Sequence, residues 1–169
     1  MIAKTSVRAA FAFAASVVML GTGVTSAQAA PSAEVCVAAH VAGVGDQDGV
    51  CNSYDMERVA GTTGQNRAIE GMWIMAHGFN GQLCVEVHIR NRGWIKEKCA
   101  NQGSYMFVGT TGQNAPLEAI RVRMTSGLSV QGNAHVQGFG WQGWVRGDYI
   151  QIGTEGEARN LEAVKIRPA

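Results

Sequence analysis

The sequence has few charged residues and little net charge. Charged residues make up 16% of the 169 positions, whereas hydrophobic residues make up 46%. Disordered chains show the opposite balance, low hydrophobicity with high net charge, so this composition excludes a disordered chain. The formal net charge is only +1, which excludes a strongly basic nucleic-acid-binding protein. Glycine is abundant but lacks a three-residue period, which excludes a collagen-like chain.

Catalytic and helical patterns are also missing. The sequence contains no G-x-S-x-G, no H-E-x-x-H and no P-loop motif. No stretch combines the apolar periodicity of a helix with capping residues at its ends. We therefore expect a protein that is not an enzyme, that has no catalytic residues, metal or cofactor, and that folds from strands.

The first 29 residues are typical of a secretory signal peptide. Lys4 and Arg8 give a basic start, residues 9–20 form an uncharged apolar run, and residues 27–29 (Ala-Gln-Ala) form a small-x-small cleavage pattern. The apolar run is shorter than a membrane span, so we predict cleavage before Ala30 and no membrane insertion of the mature chain. The predicted secreted chain has 12 basic and 13 acidic residues, which further disfavours nucleic acid as a partner.

The mature chain contains three similar units of about 45 residues. GTTGQN occurs at residues 61–66 and again at 109–114, and GTEG follows at 153–156. A histidine and a glutamate recur in the same order in every unit: His40, His88 and His135, then Glu70, Glu118 and Glu162. We place the units at residues 30–75, 76–124 and 125–169, within one compact domain.

Each unit has the residue pattern of β-strands. Val85, Val87 and Ile89 alternate with polar residues, which is the period-two signature of a half-buried strand. One such unit cannot bury its apolar side, so three units must close around a shared centre. The sequence predicts an all-β domain of three pseudo-symmetric units, each a self-contained sheet, closed like a β-prism. A β-trefoil is the alternative.

The cysteines occur in two equivalent pairs. Cys36 and Cys51 are 15 residues apart, and so are Cys84 and Cys99. The third unit lacks both cysteines at the matching positions, so the positions are kept or lost as pairs. This predicts the disulfides Cys36–Cys51 and Cys84–Cys99, which suit an exported chain. A zinc site is the alternative, but the spacing lacks a C-x-x-C knuckle.

Several residues at matched positions point to a known family. The third unit carries His135, Gly140-Trp141 and LEAVKI at 161–166, and the second carries His88, Gly93-Trp94 and LEAI at 117–120. In the first unit, Asp46 rather than tryptophan follows Gly45. On these residues the mature chain resembles the ChW family, clostridial hydrophobic repeats with a tryptophan. The resemblance implies an extracellular, non-enzymatic module that attaches to surfaces or partners, and it names no ligand.

The repeated histidines and glutamates are expected to be structural. Three histidines could converge on the pseudo-threefold axis as a metal site, but His88 lies opposite the apolar side of its strand. The simpler expectation is that each histidine forms hydrogen bonds within its own unit. Glu118 shares the apolar side of its strand with Ile120, so its carboxylate needs partners such as turn amides or a Trp indole.

Five large residues are candidates for contact with a partner or ligand. Trp73 and Met75 share the outward side of their strand and form a candidate protein-binding patch. Trp94 and Trp141 are ligand candidates, although the simpler expectation is that they fill the centre of the fold. Trp144 has no counterpart in the other units, so we expect it to make a specific contact.

Charge is distributed unequally over the three units. Residues 30–75 carry six acids and two bases, residues 76–124 three acids and six bases, and residues 125–169 four of each. Such asymmetry suits one oriented partner better than three identical sites. The sequence therefore predicts a secreted adaptor that engages an exported protein, for example within a larger extracellular complex. The alternatives are a lectin-like module that binds a surface glycan or cell wall, and an inhibitor of a secreted hydrolase.

Overall fold

A computed structural model describes residues 32–125 and 127–169. The predicted signal peptide and its cleavage site lie outside these residues. The described residues form fourteen strands and no helix, so the all-β prediction is confirmed. Within this part of the chain, no helix is long and apolar enough to cross a membrane.

The strands fall into three successive groups, one for each repeat. The first unit contains β1 (Glu34–Val41), β2 (Gly45–Asp46), β3 (Val50–Asn52), β4 (Ala60–Gly61) and β5 (Ile69–His77). The second contains β6 (Gln82–Ile89), β7 (Gly93–Asn101), β8 (Met106–Gly109) and β9 (Leu117–Met124). The third contains β10 (Val130–Val136), β11 (Gly140–Trp141), β12 (Val145–Gly147), β13 (Tyr149–Gly153) and β14 (Leu161–Pro168).

Three antiparallel sheets share strands between units. The first sheet has the order β2-β1-β5-β8, with β3 also paired to β1. The second has the order β13-β9-β6-β7, and the third has the order β11-β10-β14-β4, with β12 also on β10. The short strand before the last long strand of each unit thus pairs with the preceding unit: β8 with β5, and β13 with β9. β4 of the first unit pairs with β14 of the third, which closes the circle. The prediction of self-contained sheets is therefore wrong, whereas the choice between prism and trefoil stays a prediction.

One buried cluster joins the inner sides of all three sheets. The equivalent positions Ile74, Val122 and Ile166 are fully buried, one in the long last strand of each unit. Burying such a side chain stabilises the fold by about 1.5–3 kcal/mol relative to leaving it in water. Because the three sheets share this core, each unit depends on the other two to shield its apolar side from water.

Both predicted disulfides are present. Cys36 faces Cys51 across β1 and β3, and Cys84 faces Cys99 across β6 and β7. Each bond therefore ties the first strand of its unit to the strand that returns along it. The third unit makes the same turn without a disulfide, so the strand pairing itself does not require one.

Candidate functional site

A β-bulge places each repeat glutamate opposite the repeat histidine. His40 pairs with Gly71 and Val41 pairs with Ile69, so Glu70 is the extra residue of β5. The same shift occurs at His88/Ile89 against Glu118, and at His135/Val136 against Glu162. An extra residue interrupts the alternation of a strand, so the glutamate does not share the apolar side with its neighbours. The parity argument that placed Glu118 beside Ile120 is wrong for this reason.

The buried glutamates of the second and third units contact histidine. In the second unit, His88 Nδ1 lies 3.1 Å from Glu118 Oε2, and Arg90 Nε donates to Glu118 Oε1 at 2.9 Å. In the third unit, His135 Nδ1 lies 3.0 Å from Glu162 Oε2. Both carboxylates are nearly inaccessible to solvent. Of these contacts only the one from Arg90 has the geometry of a hydrogen bond, because both histidine Nδ1 atoms are buried without a hydrogen-bond partner in the described residues.

The first unit satisfies its buried glutamate differently. The backbone amide of Gly112, in the GTTG turn of the second unit, donates to Glu70 Oε2 at 3.0 Å. His40 Nδ1 instead lies 2.7 Å from Asp46 Oδ1, and its Nε2 lies 3.9 Å from Glu70 Oε2. The carboxylate of Glu70 therefore links two units directly.

Backbone hydrogen bonds repeat this link around the whole ring. The amides of Thr110, Thr154 and Thr62 donate to the carbonyl oxygens of Glu70, Glu118 and Glu162, at 2.8, 2.9 and 2.9 Å. The glycine before each threonine has a positive φ, 93° at Gly109, and a Cβ there would meet the glutamate carbonyl. The Gly-Thr pair thus recurs because only glycine lets the two backbones approach this closely.

Two groups of side chains in the described residues are close enough to hold a metal ion. They comprise Glu34, Cys36 and His77, and Cys84, Glu97 and Cys99. The cysteine sulfurs in both groups belong to disulfides, so they are not thiolates, which are the form that binds metal. Each repeat histidine approaches the glutamate of its own unit and not the other repeat histidines.

Trp94 and Trp141 lie on the outer sides of their sheets, so the expectation that they fill the centre is wrong. Both are half-buried, and neither belongs to the buried core. The Arg121 guanidinium lies 3.7 Å from the centre of the Trp94 ring, and Lys165 Nζ lies 4.4 Å from that of Trp141. Each ring also meets the repeat histidine edge-on, at centroid distances of 5.2 and 5.4 Å. Cation–π contacts of this kind hold a ring in place.

Asp46 takes the tryptophan position in the first unit. It faces His40 across β1 and β2, as Trp94 faces His88 and Trp141 faces His135. Trp144, which has no such counterpart, is 37% exposed, and the Arg167 guanidinium lies 4.5 Å from its ring centre. All three tryptophans of the second and third sheets therefore have a cation over the ring.

The outer side of the first sheet has an apolar part, next to the ion pair of His77 with Glu34 at 3.3 Å. Trp73 is 45% exposed and packs at 5.2 Å against Phe107, its partner across β5 and β8. Tyr105 directly precedes β8 and is 59% exposed. The amide of Gly103 donates to the carbonyl oxygen of Ala76, and Met106 pairs with Ile74. Tyr105 therefore lies beside Met75. We call the set Trp73, Met75, Tyr105 and Phe107 the apolar face.

Ion pairs occupy the corresponding positions of the second sheet. Arg121, at the Trp73 position, binds Glu86 at 3.2 Å. Arg123, at the Met75 position, forms two hydrogen bonds with Glu97 at 2.8 and 2.6 Å. The hydrogen bond from Arg123 holds the pKa of the Glu97 carboxyl below its ordinary value. These two positions of the second sheet are therefore charged and ion-paired, although Trp94 and the exposed Tyr149 also lie on its outer side.

Basic residues also occupy the corresponding positions of the third sheet. Lys165 forms an ion pair with Glu57, and Arg167 Nη1 donates to the carbonyl oxygen of Tyr54 at 3.0 Å. The first sheet thus differs from both neighbours at the Trp73 and Met75 positions.

Comparison with known proteins identifies the repeats. The family model described as "Clostridial hydrophobic W" (ChW) matches residues 40–77, 88–126 and 135–167. The chain belongs to the ChW family. Each match begins at a repeat histidine and covers the tryptophan position, the Gly-Thr turn and the bulged glutamate. No curated protein and no solved structure matches the chain.

Sequence reasoning missed Tyr105 and Phe107 as members of the apolar face. Both belong to the second ChW repeat, yet they complete the outer side of the sheet that the first repeat builds. Their alternation with the buried Met106 and Val108 marks them as outward-facing. That alternation carries no information about which sheet the strand joins.

Proposed function

We propose that this ChW protein is a secreted, non-enzymatic adaptor that engages an exported protein through its apolar face. The observation that carries the proposal is the cluster of partly exposed Trp73, Tyr105, Met75 and Phe107 on one of three related faces. Tryptophan, tyrosine and methionine are enriched at protein interfaces, and clustered exposed apolar side chains mark such sites.

The setting of the apolar face also suits a binding role. Its residues lie on or beside hydrogen-bonded strands, so binding would order few side chains and little backbone. Two disulfides support an oxidising compartment, as expected for a secreted protein. The ion-paired faces of the other two sheets favour a single oriented partner, for instance within a larger extracellular complex.

A substitution borrowed from the second repeat tests the proposal. Trp73→Arg gives the first sheet the residue that Arg121 provides at the equivalent position of the second. Tyr149→Ala is the matched control, because Tyr149 lies at the Tyr105 position of the second sheet and is 52% exposed. We expect the tagged wild-type protein and the control to retain one partner from culture medium.

Trp73→Arg should weaken that binding by about 30-fold or more, the size of an interface hot spot. Recovery of no protein by the wild-type chain, or equal recovery by Trp73→Arg, would contradict the proposal. If the retained partner is a hydrolase that loses activity on binding, the adaptor acts as an inhibitor. Unchanged activity across a panel of secreted hydrolases would exclude the inhibitor function.

A lectin-like function is the second candidate. The tryptophans do not favour it, because Trp94, Trp141 and Trp144 each have a cation over the ring, where a sugar would stack. The feature in its favour is a polar cavity on another surface of the molecule.

A further inference from the structure

A solvent-open cavity of about 420 Å³ lies at the end of the molecule that carries the GTTG turns. Ala68, Pro116 and Asn160 occupy equivalent positions, two residues before the repeat glutamate, and all three line it. Residues related by the pseudo-threefold symmetry can surround one cavity only if it lies on the axis. The site therefore belongs to the closed ring of three repeats and not to any one repeat.

The lining of this axial cavity is polar and basic. The residues that line it include Arg67, Arg90, Gln65, Asn66 and Asn114. The residues that line it include no aspartate or glutamate. A second cavity of about 240 Å³ shares Arg90, Asn114 and Pro116 with it and adds Arg92 and Gln113.

Polar groups in the wall retain unused hydrogen-bonding capacity. Arg90 Nε is held by Glu118 at 2.9 Å, but Arg90 Nη2 is buried without a partner in the described residues. Asn160 Oδ1 is likewise buried and unpaired. Arg67 uses Nη1 for a long hydrogen bond of 3.3 Å to the carbonyl oxygen of Ala42. Unpaired polar groups are costly, so a ligand that supplies both an acceptor and a donor would be favoured here.

We infer that the axial cavity binds a saccharide that carries a carboxylate. Guanidinium groups recognise carboxylates through paired, charge-assisted hydrogen bonds. Arg90 is already held by Glu118, whereas Arg67 lines the cavity and its only side-chain hydrogen bond in the described residues is to a carbonyl oxygen. The side-chain amides both donate and accept, as an array of sugar hydroxyls requires. The cavity volume lies within the range of small-ligand sites.

The lining also distinguishes a sugar from an acidic peptide. Its apolar residues are only Ala42, Ala68 and Pro116, so it offers no deep pocket for an apolar side chain. Asn160 replaces the small apolar residues of the other two repeats, which breaks the threefold symmetry and fixes one ligand orientation. This site lies apart from the apolar face, so it adds to the protein-binding proposal without depending on it.

Calorimetric titration of the disulfide-bonded protein with digalacturonate and trigalacturonate tests the site. The methyl-esterified oligosaccharides are the matched uncharged probes, and a short glutamate-containing peptide is the carboxylate control. We expect the acids to bind about tenfold or more tightly than the esters and the peptide, and to bind less tightly at high salt. No binding of the acids, or equal binding of esters or peptide, would overturn the inference.

Two equivalent arginines provide the variants. Arg67 Nη1 donates to the carbonyl oxygen of Ala42, and Arg159 Nη1 donates to that of Gln137, but only Arg67 lines the cavity. Arg67→Gln should weaken binding of the acids about tenfold or more, while Arg159→Gln and Trp73→Arg leave it unchanged. Equal losses for Arg67→Gln and Arg159→Gln would overturn the site. Because Trp73→Arg tests the apolar face alone, the two proposals can fail separately.

Discussion

Replacing Gly109 by alanine tests the junction that joins successive repeats. Gly109 has a φ of 93°, and a Cβ there would lie 2.5 Å from Glu70 O and 2.7 Å from Gly71 Cα. Both obstacles are backbone atoms of β5, and the amide of Thr110 holds β8 against them at 2.8 Å. The clash therefore cannot be relieved by rotation of a side chain, so the two strands must separate.

The second glycine of the same turn is the matched control. Gly112 has a φ of 62°, and a Cβ there would meet no atom within 4 Å. Gly112→Ala should cost only the left-handed backbone conformation, about 1–2 kcal/mol, and keeps the amide that donates to Glu70. Gly109→Ala adds a steric term of about 1–3 kcal/mol, which makes about 2–5 kcal/mol in total.

Thermal and denaturant unfolding of the two disulfide-bonded variants measures the difference. At about 3 °C per kcal/mol, Gly109→Ala should lower Tm by about 6–15 °C and Gly112→Ala by about 3–6 °C. A total stability of about 5–15 kcal/mol makes the larger loss severe. Equal losses for the two variants would refute the argument that close backbone approach, and not turn conformation, fixes the first glycine.

Two further predictions concern the sheets themselves. The hydrogen bond from Arg123 lowers the pKa of Glu97 from its ordinary 4.5, so this pair stabilises the fold above about pH 4.5, and the contribution is lost as pH falls through the lowered value. The free energy of unfolding should therefore fall more steeply with falling pH for the wild type than for Glu97→Gln. Identical slopes would contradict the role of this pair. Replacing Cys36 and Cys51 together by serine removes a link with a sequence separation of 15 and should cost about 3 kcal/mol in denaturant unfolding, through loop-closure entropy, whereas a loss below about 1 kcal/mol would contradict it.

Local patterns in the sequence predicted much of this fold because they report local geometry. The alternation at Val85, Val87 and Ile89 marks β6, and the paired loss of cysteines in the third unit marks the disulfides. The pairing of a strand from one repeat with the sheet of another leaves no such pattern in the sequence. Residues 106–109 form a strand whether they pair within their own repeat or with β5, so the choice depends on how three repeats close.

The expectations that Glu118 lies beside Ile120 and that Trp94 fills the centre are wrong for the same physical reason. A bulge adds a residue to one strand, so the parity that places Glu118 beside Ile120 no longer holds across it. The cation that covers Trp94 comes from Arg121, which the chain places 27 residues away and only the pairing of β6 with β9 brings near. Both features depend on contacts between strands, which a single-strand pattern does not contain.

The residues that repeat and the residues that differ have different physical roles. The Gly-Thr turn, the bulged glutamate and the histidine recur because backbone approach and burial leave little choice at those positions. Even the tryptophan of the ChW repeat is held between a histidine and a cation. Outer positions such as that of Trp73 and axial positions such as that of Asn160 carry no such constraint, so they were free to diverge. If the protein engages one oriented partner, as proposed, the residues that differ between repeats must recognise it. Trp73 and Arg67 are therefore better candidates for function than the repeated residues.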